Sequence, residues 1–124
     1  MRNFTTNTLV RMAMIAVLIF GATAPGLAGA VRGPVYARDA VNPGSADVYR
    51  ITFRGGEIAR VALSGDGDTD LDLYVYDESG NLIAKDDDRS DDCYVSWIPR
   101  WTGSFKIRVV NRGRVYNEYV LATN

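Results

Sequence analysis

The sequence predicts an all-β domain, a jelly-roll-like antiparallel β-sandwich of about seven to eight strands. Three observations carry this expectation. Apolar and polar residues alternate in short runs, and no segment beyond residue 30 sustains a helical apolar period. The runs are separated by clusters of Gly, Asp, Asn and Pro at spacings of roughly 8–12 residues. The composition agrees: seven Tyr and 12 Gly, with Leu and Ala sparse beyond the first thirty residues. One inward row per strand suits sheets with one buried and one wet face.

The elements follow in chain order. Met1–Arg11 carries Arg2 and Arg11 and no acid, Met12–Ala22 is an apolar run, and small residues follow it. This is the charged, hydrophobic and cleavage-region order of a secretory signal peptide. The run is too short for a membrane-spanning helix, which needs about 20 apolar residues. Ala28-Gly29-Ala30 fits an A-x-A cleavage site. Residues 1–30 are therefore expected to be removed, leaving a periplasmic or secreted chain from Val31 with no membrane span. Residues 31–46 hold Pro34, Pro43 and Gly44 without periodicity and read as an extended lead-in.

The folded domain is expected over residues 47–124. Asp47–Phe53 places Tyr49, Ile51 and Phe53 on one face. Gly55-Gly56 turns the chain, and Glu57–Leu63 brings Ala59, Val61 and Leu63 inward. In Asp70–Asp77, Leu71, Leu73 and Val75 face in while Asp70, Asp72, Tyr74 and Tyr76 face out. Glu78–Asn81 predicts a hairpin turn into a short strand, Leu82–Lys85. Asp86–Asp92 carries too many like charges to pair as a strand. Cys93–Ile98 and Ser104–Asn111 are strands, the latter with Phe105, Ile107 and Val109 inside. Val115–Ala122 closes the chain with Tyr119 and Leu121.

Composition excludes several chemistries. The chain has no His, which removes Ser-His-Asp and Cys-His catalysis and His-ligated zinc. A formal charge of −1 argues against a nucleic-acid binder. Cys93 is the one cysteine, so no internal disulfide can form, and it is expected at a strand edge. Asp68-Thr69-Asp70 is not the D-T-G of aspartic proteases, and no G-x-S-x-G string occurs. Catalysis is not expected.

Several strings, taken in order, resemble the bacterial pre-peptidase C-terminal domain family. They are Asp47-Val48-Tyr49-Arg50-Ile51-Thr52-Phe53, then Asp70-Leu71-Asp72-Leu73-Tyr74-Val75-Tyr76 with Asp77-Glu78-Ser79-Gly80. Thr102-Gly103-Ser104-Phe105-Lys106-Ile107-Arg108-Val109 and Tyr119-Val120-Leu121 complete the pattern. The family is related to the collagen-binding domains of clostridial collagenases. The resemblance implies a small secreted β-sandwich with an accessory role. It also implies calcium as a candidate cofactor, since some collagen-binding relatives bind it, partly through the lead-in, which draws Asp39 and Asp47 into view. The loop Asp86–Asp92 is more acidic than the family pattern requires.

The carboxylates carry the candidate chemistry. Asp66, Asp68, Asp70 and Asp72 recur at every second position, and Asp86, Asp87 and Asp88 sit in the later acidic loop with Asp91 and Asp92. If the two strands between them form a hairpin, both groups reach one rim. Clustered hard oxygen donors suit calcium. Against this, Leu71 stands where an EF-hand loop requires Gly. The other reading is structural, with aspartates capping loop N–H groups. The aromatics offer a second candidate. Tyr74, Tyr76, Trp97 and Trp101 either bind a sugar ring or protein strand, or cover a sheet face and fill the sandwich end.

Two functions stand. The first is an exported, non-catalytic binding or accessory module for a protein or polysaccharide outside the cytoplasm. The second is a small secreted hydrolase or hydrolase inhibitor, although the sequence displays no rigid exposed loop.

Overall fold

The computed structural model describes residues 28–124. The charged head and apolar run of the expected signal peptide lie outside the described residues. Eight strands form: β1 (Tyr36–Val41), β2 (Ala46–Phe53), β3 (Ala59–Ser64), β4 (Leu71–Tyr76), β5 (Leu82–Asp86), β6 (Asp92–Trp97), β7 (Gly103–Asn111) and β8 (Asn117–Thr123). They build two four-stranded antiparallel sheets, ordered β1-β8-β3-β6 and β2-β7-β4-β5. Only β4 and β5 are consecutive strands that neighbour each other in one sheet. Every other connection between consecutive strands crosses from sheet to sheet, which is the jelly-roll arrangement.

The period-2 rows meet between the sheets. Leu71, Leu73 and Val75 of β4 and Ile107 and Val109 of β7 have no exposed surface. They face Val61 and Leu63 of β3 and Leu121 of β8, equally buried, in one cluster. The hairpin expected at Glu78–Asn81 joins β4 to β5, with a bulge between Val75 and Tyr76. Cys93 lies on β6, an edge strand, with its thiol donating to the Leu71 carbonyl at 3.1 Å. Burial pushes that thiol well above its usual pKa, so it stays protonated.

The structure departs from the sequence expectations at three places. The lead-in contains a strand: β1 pairs along its whole length with β8. Its string YARDAV alternates poorly, so its pairing is set by the neighbouring strand rather than by its own pattern. β8 is buried at all seven positions, where one wet face was expected. It lies between β1 and β3 in its sheet, and its outer Ala122 adjoins the small Ala62. Finally, Gly29 and Ala30 belong to the sandwich. Ala30 is buried, bridges Phe53 and donates its N–H to the Asn124 carbonyl, while the Gly29 carbonyl accepts from Arg54. A cleavage after Ala30 would cut away these contacts.

Two of the family-like strings, 47–53 and 119–121, meet in one part-buried network. Tyr119 of β8 donates to Asp47 of β2 at 2.6 Å, and Tyr49 donates to Tyr119 at 2.7 Å. Burial raises the pKa of both phenols, so both remain donors. The chain of hydrogen bonds ties one sheet to the other.

Candidate functional site: an aromatic cleft opposite an acidic end

The jelly-roll crossings sort the loops into two groups. The β3–β4, β5–β6 and β7–β8 loops meet at one end, and the β2–β3, β4–β5 and β6–β7 loops meet at the other.

The first group is acidic. As expected, the two acidic loops lie side by side: Gly65 N–H donates to the Asp91 carbonyl and Leu71 N–H to the Ser90 carbonyl. The aspartates act mostly as caps. Asp66 accepts from the N–H of Asp68 and of Glu118, Asp88 accepts from Ser90 N–H, and Asp86 accepts from Tyr94 N–H. Asp91 accepts from Gly67 N–H at 2.6 Å and from the Asn117 amide at 3.2 Å. Asp72 is buried and pairs with Arg112 at 2.9 Å, and Asp87 pairs with Lys85 at 2.9 Å. The Lys85 ammonium holds the Asp87 carboxyl below its usual range. Asp70, Asp72 and Glu118 each also keep one buried carboxylate oxygen without a partner, and at Asp70 burial, then the Asp72 and Asp88 carboxylates, raise the pKa. Asp39 accepts from the next backbone N–H, and Asp47 serves the tyrosine network. Among the described residues no group of three or more His, Cys, Asp or Glu is placed to hold a metal ion. Asp66, Asp68, Asp70, Asp72, Asp86, Asp87 and Asp88 share one end of the sandwich, on adjoining loops and strand ends. The second-position spacing predicts a shared face only for an extended chain, and residues 65–70 are a loop.

The opposite end is concave. A cleft of about 530 Å³ is lined by Trp97, Ile98, Trp101 and Phe105 with Asp77, Ser79 and Asn81 on its rim. Its volume falls within the usual range for ligand sites. Trp97, at the end of β6, is wedged against Phe53 and Phe105 at ring-centroid distances of 5.0 and 5.3 Å. Its indole N–H is shielded from solvent and has no hydrogen-bond partner. Trp101 is 73% exposed and Ile98 64% exposed.

The loop that carries them is fixed. The Pro99 carbonyl accepts from Gly56 N–H at 2.7 Å, and the Thr102 hydroxyl accepts from Gly55 N–H at 3.0 Å. Gly55 lies so close to the Trp101 backbone that no side chain fits there. Gly56 adopts a φ of 78°, which favours glycine. The facing turn is equally ordered: Asp77 accepts from Ser79 N–H, Asn81 N–H and the Asn81 amide. These bonds, the Asn81 side chain's first, hold the Asp77 carboxyl below the usual carboxylate range.

Of the four aromatic candidates, the structure brings Trp97 and Trp101 together. Tyr74 and Tyr76 stand elsewhere, on the outer face of the β2-β7-β4-β5 sheet. Their rings stack at 6.4 Å, with Lys106 over Tyr76 at 4.9 Å. Sequence reasoning missed the fixed loop and the Asp77–Asn81 rim, although Trp97-Ile98-Pro99-Arg100-Trp101 was its visible signal.

Solved structures with this architecture give it a name. The pre-peptidase C-terminal domain of a Bacillus anthracis collagenase superposes with a TM-score of 0.61 and 14% identity, over 77% of this chain and 90% of that one. The chain has the fold of a pre-peptidase C-terminal domain. Aeromonas hydrophila PliG, a periplasmic inhibitor of g-type lysozyme, matches with a TM-score of 0.56 and 13% identity, over 82% of this chain and 90% of that one. No protein-family model and no curated protein matches in sequence. The likeness is therefore one of fold, below the level of a sequence match.

Proposed function

We propose that the chain is an exported, non-catalytic accessory module that binds a polysaccharide or protein outside the cytoplasm through the Trp97–Trp101 cleft. The observation that carries this is the cleft itself: a rigid aromatic floor, an exposed aromatic rim and ordered polar groups facing it. Aromatic faces take up sugar C–H surfaces or apolar side chains, and the rim of Asp77, Ser79, Asn81 and Arg100 supplies both donors and acceptors. Lack of His and a buried, protonated Cys93 support a binding role over catalysis. Export rests on the charged, apolar and small-residue order of the first thirty residues. The contacts of Gly29 and Ala30 favour cleavage after Ala28, where Gly26 and Ala28 supply the small residues.

One observation favours a second reading, an inhibitor of an extracytoplasmic hydrolase. The fixed loop Ile98–Thr102 presents Ile98 and Trp101 as a rigid exposed anchor. Glycan and peptide arrays probed with the chain and with Trp101→Ala test the first reading, and a lysozyme inhibition assay with the same pair tests the second. Signals that disappear in Trp101→Ala on the arrays are expected. Array signals unaffected by Trp101→Ala would remove the cleft as the site.

A further inference from the structure

The outer face of the β2-β7-β4-β5 sheet carries an unusual set of neighbours. Its residues are in register across four strands. Arg50 of β2 stands directly opposite Lys106 of β7, which stands opposite Tyr76 of β4. In the adjoining row Val48 faces Arg108, Arg108 faces Tyr74, and Tyr74 faces Lys85 of β5. Neighbouring strands are about 5 Å apart and successive outward residues about 7 Å apart, so these groups form one compact patch.

The carboxylates that reach this face are few and occupied. Asp72 is buried under Arg112, Asp87 pairs with Lys85, and Glu78 at the edge accepts from Ser104 N–H. Among the described residues no ion pair engages Arg50, Lys106 or Arg108. Like charges directly opposite each other on a sheet destabilise it. Arg50 and Lys106 are such a pair, although acids are plentiful at the loop end of the same molecule. An anion laid across the patch removes that repulsion. The two tyrosine rings beside the cations add apolar surface, and the Tyr74 hydroxyl is held by Asp72 and Arg112.

We infer that this face binds a linear anionic polysaccharide, one bearing carboxylate or sulfate groups, through Arg50, Lys106 and Arg108 with Tyr74 and Tyr76 as its floor. The inference rests on the exported state proposed above and is independent of the Trp97–Trp101 cleft. Export favours a glycan over a nucleic acid, because charged glycans are the abundant polyanions outside the cytoplasm.

Binding of the purified chain to polygalacturonate, dextran sulfate, neutral dextran and a single-stranded DNA oligomer tests it, with each affinity measured at low and high salt. Binding to one or both charged glycans is expected, about tenfold weaker or more at high salt, with none to neutral dextran. Arg50→Thr with Lys106→Thr should lose the binding tenfold or more, while melting at low salt no lower than the parent because the repulsion is gone. Arg50→Lys should keep most of the affinity. Three results would each overturn the inference: affinity indifferent to salt, DNA bound more tightly than either glycan, or binding lost in Trp101→Ala and kept in the threonine double variant. Failure of the cleft would appear separately, as array signals that Trp101→Ala leaves intact.

Discussion

Asp70 shows what a buried carboxylate oxygen costs when no ion pair on the same side chain offsets it. Asp72 also buries an unpartnered oxygen, but its other oxygen meets Arg112, whereas Asp70 has one oxygen buried with no partner and, among the described residues, no ion pair. Burial and the Asp72 and Asp88 charges raise its pKa above the ordinary 3.8. The folded state then holds this proton more tightly than the unfolded chain does. Stability contributed by the neutral form is full below about pH 4 and falls as pH rises through the raised value. Asp70→Asn should therefore be more stable than the parent near pH 7, with the difference closing towards pH 4. Urea unfolding at several pH values checks this, and a difference independent of pH would show that ionisation is not the cause. Asp77 and the exposed Asp87 have lowered values, so whatever they add is present near neutrality and fades in acid. The residue types were legible in the sequence, but their partners were not. Spacing told that Asp66 and Asp70 share a face of an extended chain, while the loop they occupy turns them to different neighbours.

At the scale of elements, the loops of the acidic end are knitted by Asn117 at the start of β8. Its side-chain carbonyl accepts from Asp66 N–H at 3.0 Å, and its amide donates to Asp91. Gly65 threads between Asp91 and Asn117 where no larger residue fits. Asn117→Ala leaves a buried N–H and part of a buried carboxylate unpaired, which should cost on the order of 1–3 kcal/mol. Chemical denaturation with an unchanged slope measures this, and a loss near zero would show that water replaces the amide freely. The strands were legible because alternation is local: the rows Leu71-Leu73-Val75 and Phe105-Ile107-Val109 fall inside as expected. β1 was not, because Arg38 and Asp39 interrupt its pattern and its place depends on β8. The cleft was legible only as two tryptophans flanking a proline. Its walls come from the β4–β5 and β6–β7 loops, which the crossings bring together, and no local pattern encodes that.

At the scale of the whole molecule, a net charge of −1 hides a strong separation. Acids gather at one end, cations cover one sheet face, and aromatic surface opens at the other end. Several of the described aspartates cap N–H groups or pair with cations, and if they do no more than this, calcium and magnesium should raise the melting temperature equally at matched ionic strength, through screening alone. A clear excess for calcium would place a specific site at the acidic rim. The central claim concerns the other end. The chain has two tryptophans, and both line the cleft. Intrinsic tryptophan fluorescence therefore reports on that site directly. Titration with the glycans or peptides retained on arrays should shift the emission to shorter wavelength and saturate, and Trp101→Ala should abolish the saturable change. Saturable binding seen by calorimetry with no change in tryptophan emission would contradict the account, because the ligand would then sit away from the cleft.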